Sequence, residues 1–301
     1  MFIHLPKTAG TSLVSGLVEA LDPAAAFIGV DRSGFGSFRD FATMHAIPTA
    51  RVILAPDQLP AAADLVAGHF SPSTTRARYP TSPHFTVLRS PRARLLSTWL
   101  FSRAHTELTL RHWGPYGDWI RRARSRLAEY LADPSVAAHT DNAMTRMLLW
   151  PHALIPDADF IDPAHDNELV EAILGALEGF DYVGLVEDPE MLANLSTWLG
   201  TTIPSRRLNE ARGMPRRLRP DVDAEVDEAG SLLWARSRVD QRVWEAVAGR
   251  VLPATSDLRD LEAQVFDRAV ARQRQAVASP VAVSRRALDA AYTVRARLAG
   301  R

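Results

Sequence analysis

A short apolar run, Phe2, Ile3 and Leu5, is followed at once by Pro6-Lys7-Thr8-Ala9-Gly10-Thr11-Ser12 and then by apolar residues at helical spacing, Leu13, Leu17, Val18 and Leu21. This pattern is that of a buried strand, an abrupt Pro/Gly/Thr turn and a helix. Strand-like runs alternating with helical segments recur downstream, and the alternation calls for a parallel sheet covered by helices on both faces. Lys7 is the only lysine in 301 residues; every other Lys/Arg position holds arginine. A lone lysine in an arginine-biased chain suggests a task for a compact ammonium rather than a planar guanidinium.

The turn has the makings of an anion cradle. The first N–H groups of a helix have no intrahelical partner, and the helix dipole adds about half a positive charge there. Gly10 allows close backbone approach, and the hydroxyls of Thr8, Thr11 and Ser12 can donate to oxygen. The plainer alternative is that Thr and Ser only cap the helix and that Lys7 survives by accident. The loop is not a Walker A sequence, because Lys7 precedes its only glycine. Gly34-Phe35-Gly36 followed by Arg39 lacks the third glycine of a dinucleotide fingerprint and reads as a loop.

A second stretch, His84-Phe85-Thr86-Val87-Leu88-Arg89-Ser90-Pro91-Arg92-Ala93-Arg94-Leu95-Leu96-Ser97, reads as a strand ending in arginine with proline starting a helix. Arg89 at the strand's carboxyl end and Ser97 two turns into the helix can reach a ligand above the sheet edge, and the guanidinium fork suits a phosphate. Arg92 and Arg94 read as helix charges, Arg92 facing solvent.

Together, P-K-T-A-G-T-S and R-x-P-x-x-R-x-x-S some eighty residues later resemble the sulfotransferases that use 3′-phosphoadenosine 5′-phosphosulfate (PAPS), in particular the carbohydrate O-sulfotransferase branch. The resemblance covers roughly residues 1–250. It implies that Lys7, Thr8, Ala9, Gly10, Thr11 and Ser12 hold the 5′-phosphosulfate and that Arg89 and Ser97 hold the 3′-phosphate. Val66-Ala67-Gly68-His69-Phe70 resembles the segment that carries a histidine base, so His69 becomes the candidate general base and Lys7 the stabiliser of the leaving phosphate. Glu19 and Glu187 are fallback bases. The basic stretch Arg206–Arg219 falls where the family has a loop over the donor, which brings in Arg207, Asn209 and Arg212; a solvated basic loop is the alternative.

The implied function is transfer of a sulfuryl group to a hydroxyl of a carbohydrate or glycolipid, with no metal. A dispersed anionic transition state requires positioning and charge stabilisation, and an imidazole with an ordinary pKa near 6.5 can take the acceptor proton at neutral pH. Two alternatives remain: an ATP-dependent kinase on a related fold, and a non-catalytic nucleotide-binding protein in which His69 is structural. His4 reads as structural, and the other histidines have no motif context.

Composition supports one substantial core, with 47% hydrophobic residues and formal net charge zero. The expected class is an α/β, P-loop-like parallel sheet: residues 1–250 as the sulfotransferase domain, 251–301 as a basic helical extension. Strands are expected near 2–5, 51–55, 84–89 and 181–186. Helices are expected near 11–21, 91–104, 117–132, 141–149, 166–177, 189–199, 221–249, 257–277 and 284–299. Residues 22–50 and 105–116 are candidate substrate loops carrying Phe35, Phe38, His105, His112, Trp113 and Tyr116. From Arg268 to Arg301, eight arginines against Asp289 leave a local charge of about +7. Packing on the domain or in a homodimer, peripheral membrane contact, or plain solvation would each accommodate it.

Nothing points to nucleic acid. The chain has no cysteine, no H-E-x-x-H and no calcium-loop pattern. Without a leader or an apolar run approaching about 18 residues, the expectation is a soluble bacterial protein of the cytoplasm, peripheral at the inner membrane surface if the tail meets lipid.

Overall fold

The computed structural model describes residues 1–44, 51–205, 214–252 and 257–279. Six strands, Phe2–Ile3 (β1), Ala26–Asp31 (β2), Val52–Ile53 (β3), Leu65–His69 (β4), Phe85–Leu88 (β5) and Tyr182–Leu185 (β6), form one sheet in the order β3-β2-β4-β1-β5-β6. Every pairing is parallel, so all carboxyl ends open on one edge. The loops that carry Lys7, Arg89 and Glu187 leave that edge, and His69 is the last residue of β4.

Alternation along the central strands divides the core in two. Phe2, Leu65, Ala67, Phe85 and Val87 face the helices Gly10–Leu21 and Met191–Leu199. Ile3, Val66, Leu88 and Leu185 face the helices Asp166–Glu178 and Arg238–Val251. The expected α/β class is therefore the one found.

The boundaries show where local pattern fails. β2 lies inside the stretch expected to be a loop, 22–50; residues 26–30 are apolar throughout, but Ile28 is exposed and Gly29 buried, so the strand shows no alternation. β4, which the sequence marks only as a histidine-bearing segment, is a strand between β2 and β1. Residues 105–116 are not one loop, since Glu107–His112 is a short helix capped by Thr106, whose side chain accepts from Thr109 N–H. The span 117–132 divides into Pro115–Arg121 and Leu127–Ala132, separated by a 3-10 turn at Arg122–Arg124 and extended Ser125. The helix expected at 284–299 falls outside the described residues.

The helix expected at 221–249 is two, Val222–Ala235 and Arg238–Val251. Its break is set from elsewhere in the chain. Asn142 Oδ1 accepts from Val239 N–H (2.8 Å) and Asp240 N–H (3.2 Å), capping the second helix, while Asp240 accepts from Met144 N–H (3.0 Å) and Thr145 N–H (2.8 Å) at the start of helix Ala143–Leu148. Two helix starts thus cap each other through buried side chains.

Arg92 does not face solvent. Arg92 and Glu262 are 11% and 1% exposed, and the pair is sealed between Trp234 and Phe266, whose centroids lie 3.9 and 4.3 Å from the guanidinium carbon. Glu262 also accepts from Ser90 Oγ at 3.0 Å. Helix Leu258–Ala278 is thereby fastened to the start of helix Pro91–Arg103, two residues after Arg89, and its Phe266, Ala269 and Val270 share a core with Ala93, Leu96 and Trp99. A buried ion pair contributes little net stability but fixes register.

Replacing Asn142 with alanine removes a cap and leaves buried N–H groups unpaired, which should cost about 2 kcal/mol. Urea unfolding is expected to show a lower midpoint at unchanged slope.

Candidate functional site

β1 ends at Ile3, and His4 N–H donates to Gly68 O on β4 (2.8 Å). The chain then turns through two non-glycine residues in left-handed backbone conformation, Lys7 (φ 68°) and Ala9 (φ 63°). Such conformations cost on the order of 1–3 kcal/mol each and persist only where the surroundings impose them. Here Thr8 Oγ1 donates to Leu5 O (2.9 Å) and Arg89 Nη1 donates to Lys7 O (2.9 Å). Helix Gly10–Leu21 starts at Ala9 with no side-chain cap. Gly10 is required by packing: a Cβ there would lie 1.8 Å from the His4 ring.

This loop lines a cavity of about 1470 Å³ at the carboxyl edge of the sheet. Of the expected residues, Lys7, Ala9, Gly10, Thr11, Ser12, His69, Arg89 and Ser97 all line it. Thr8 does not: it is buried and its hydroxyl serves the loop. Glu187 lines the cavity, but it accepts from Ser90 N–H (3.0 Å) and Trp244 Nε1–H (3.2 Å); burial raises its pKa. Glu19 is exposed and is not among the lining residues. Arg207, Asn209 and Arg212 lie outside the described residues.

Sequence reasoning missed Arg268, Arg272 and Gln275, which line the cavity from helix Leu258–Ala278. Their i, i+4, i+7 spacing puts them on one helix face, but spacing does not say whether that face meets a cavity or water. Arg272 is close enough to Arg89 to depress its pKa. Lys7, Arg89 and Arg272 therefore converge, an arrangement of like charges that favours a multiply charged anion.

Burial, reinforced by Arg89, lowers the Lys7 pKa to about 8. Arg89 is lowered to about 10, first by burial, against the raising effect of Glu187. The Lys7 ammonium sits 3.9 Å from the centroid of Phe101.

His69 closes β4. Its Nδ1 lies 2.6 Å from His4 O, and a carbonyl only accepts, so Nδ1 carries the proton and neutral His69 keeps a lone pair on Nε2. Burial lowers its pKa, opposed by the His4 carbonyl and by Asp31. His4 supports this geometry: its ring lies 4.4 Å from that of His69, and burial holds its pKa well below the usual histidine value. No metal-binding group of three or more ligands occurs among the described residues.

The arrangement offers a cation cluster for an anionic group beside an imidazole poised to accept a proton. No protein-family model and no curated protein matches the chain. Among the described residues, no helix is long and apolar enough to cross a membrane.

Charged Lys7 should favour anions below pH 8, and the effect should fade as pH rises through that value. Sulfate, whose own charge is constant over this range, is expected to bind more weakly above pH 8, by up to about tenfold per unit. Calorimetric titration between pH 7 and 9.5 checks it, and Lys7→Ala should flatten the profile.

Proposed function

We propose that the protein is a PAPS-dependent O-sulfotransferase acting on an acceptor hydroxyl. The observation that carries the reading is the convergence of Lys7, Arg89 and Arg272 at the strand ends where His69 opens into the same cavity. A nucleotide with charge at both its 5′ and 3′ positions suits a cation cluster supplied by two separate loops and a helix. The first loop, with Lys7 and the helix start at Gly10, suits the 5′-phosphosulfate; Arg89, Ser97 and Arg272 suit the 3′-phosphate.

The donor supplies an activated sulfuryl group: the acceptor oxygen bonds to sulfur as the bond from sulfur to the bridging phosphate oxygen breaks. His69 Nε2 takes the acceptor's proton, and its low pKa keeps it neutral and ready at pH 7. The Nδ1–H bond to His4 O fixes the ring and stabilises the imidazolium that forms. Lys7 balances charge growing on the leaving phosphate, a role in which its lowered pKa also allows it to give up a proton.

Titration with 3′-phosphoadenosine 5′-phosphate (PAP), ADP and ATP tests the donor. PAP should bind at least tenfold tighter than ADP, and both Arg89→Ala and Arg272→Ala should erase that preference, each lost charge-assisted contact costing about 1.5–3 kcal/mol. Equal or tighter binding of ATP would favour the kinase.

Substitution of His69 by alanine should lower kcat by about 10²–10⁴ with PAP affinity unchanged. The acid limb of the kcat/KM profile should lie below pH 6.5 and disappear in the variant; unaffected turnover would remove His69 as the base.

A further inference from the structure

The two ends of the cavity differ in chemistry. At one end stand Lys7, Ser12, Arg89, Ser97 and Arg272. From Lys7 a wall of rings runs toward the other: the ammonium lies on Phe101, Phe101 on His105 (4.7 Å between centroids), His105 on Trp113 (4.8 Å), Trp113 on Tyr116 (6.0 Å) and Tyr116 on Phe35 (5.1 Å). All of these rings line the cavity, and Val30, Met44, Val52, Ile120 and Met147 line it as well. Phe101 is 51% exposed, a large apolar surface left uncovered beside the reaction centre. At about 1470 Å³ the cavity exceeds the roughly 300–1,000 Å³ of a site for one small molecule, so it has room for a second ligand beyond the nucleotide.

Aromatic rings can also serve as platforms for sugars, but sugar hydroxyls need polar partners beside the platform. Here the Ser33, Thr98 and His139 groups beside the rings are already engaged. Ser33 Oγ donates to Asp31, Thr98 Oγ1 donates to Arg94 O (2.9 Å), and His139 Nε2 lies 2.9 Å from Gly34 O. Among the described lining residues the only carboxylate is Glu187, held by Ser90 N–H beside Arg89, and the only amide is Gln275, on the same helix as Arg272. Arg94 offers no anion subsite: it is 1% exposed, its unpartnered Nε and Nη2 have no accessible surface, and its charge faces Asp240. Arg51 is solvent-exposed.

We propose that the acceptor's hydroxyl is carried on an aliphatic body, for which the ring-walled end of the cavity is the binding compartment. This narrows the acceptor class and rests on the transferase reading above. The hydroxyl would meet His69, with the hydrocarbon lying along Phe101, Trp113 and Tyr116. Desolvating sugar hydroxyls against this wall would be unfavourable, whereas each methylene buried there adds affinity.

The test is calorimetric titration of the PAP-saturated full-length protein with straight-chain primary alcohols from hexan-1-ol to decan-1-ol, and with maltotriose. Kd should fall about two- to fourfold per added methylene, the upper value being that of full burial. Maltotriose should bind more weakly than decan-1-ol. Trp113→Ala should weaken decan-1-ol about tenfold with PAP affinity unchanged. Val52→Gln, which adds an amide to the same compartment, is a second variant should the first fail to fold, and should reduce the slope. Kd independent of chain length, or maltotriose tighter than decan-1-ol, overturns the inference. The two failures separate: no binding of PAP removes the transferase reading and this inference with it, whereas PAP binding with a flat alcohol series removes this inference alone.

Discussion

The site depends on a loop held in a costly conformation. Between β1 and its helix the backbone passes through the left-handed region at Lys7 and Ala9, where side-chain-bearing residues are disfavoured. Three bonds hold it: Thr8 to Leu5 O, Arg89 to Lys7 O, and His4 N–H to Gly68 O. Arg89 is thus a clamp as well as a cation. Its bond to the loop ties the carboxyl end of β5 to that of β1, so the ammonium and guanidinium come from neighbouring strands.

Electrostatics follow from that enclosure. Burial lowers Lys7 and Arg89, and their mutual repulsion lowers Lys7 further, while Glu187, held by Ser90 and Trp244, raises Arg89. An anion entering such a site gains more than it would at the surface, because the cations are already desolvated and oriented. The same burial lowers His69, so one physical cause favours the neutral form of both its imidazole and the Lys7 amine.

Helix Leu258–Ala278 contributes to the cavity because Glu262 is buried against Ser90 and Arg92. The ion pair sets which face of the helix meets the site, and that face carries Arg268, Arg272 and Gln275. Much of the α/β class was legible because apolar runs and helical spacing are local signals, and Lys7, Gly10, Arg89 and Ser97 were legible because motif spacing keeps them near strand ends. Arg272 was not, because an arginine in a basic helix looks the same whether it faces water or a cavity. Arg92 was misread for the same reason.

By itself the sequence determined the alternation of strands and helices, the strand-loop-helix at Lys7 and the strand-to-helix turn at Arg89, since each rests on residues within a few positions of one another. Only the tertiary structure decided the rest. β2 is an apolar run without alternation, holding Gly29 at its middle, and it is a strand because β4 offers a hydrogen-bonding edge. The break at Ser237 exists because Asn142, far away in sequence, caps the second helix. The ring wall forms because helix Pro91–Arg103, the residues after it and the turn at Phe35 meet in space. Caps, edges and cavity walls built from distant segments have no local signature; long-range packing selects them, and sequence spacing does not record it.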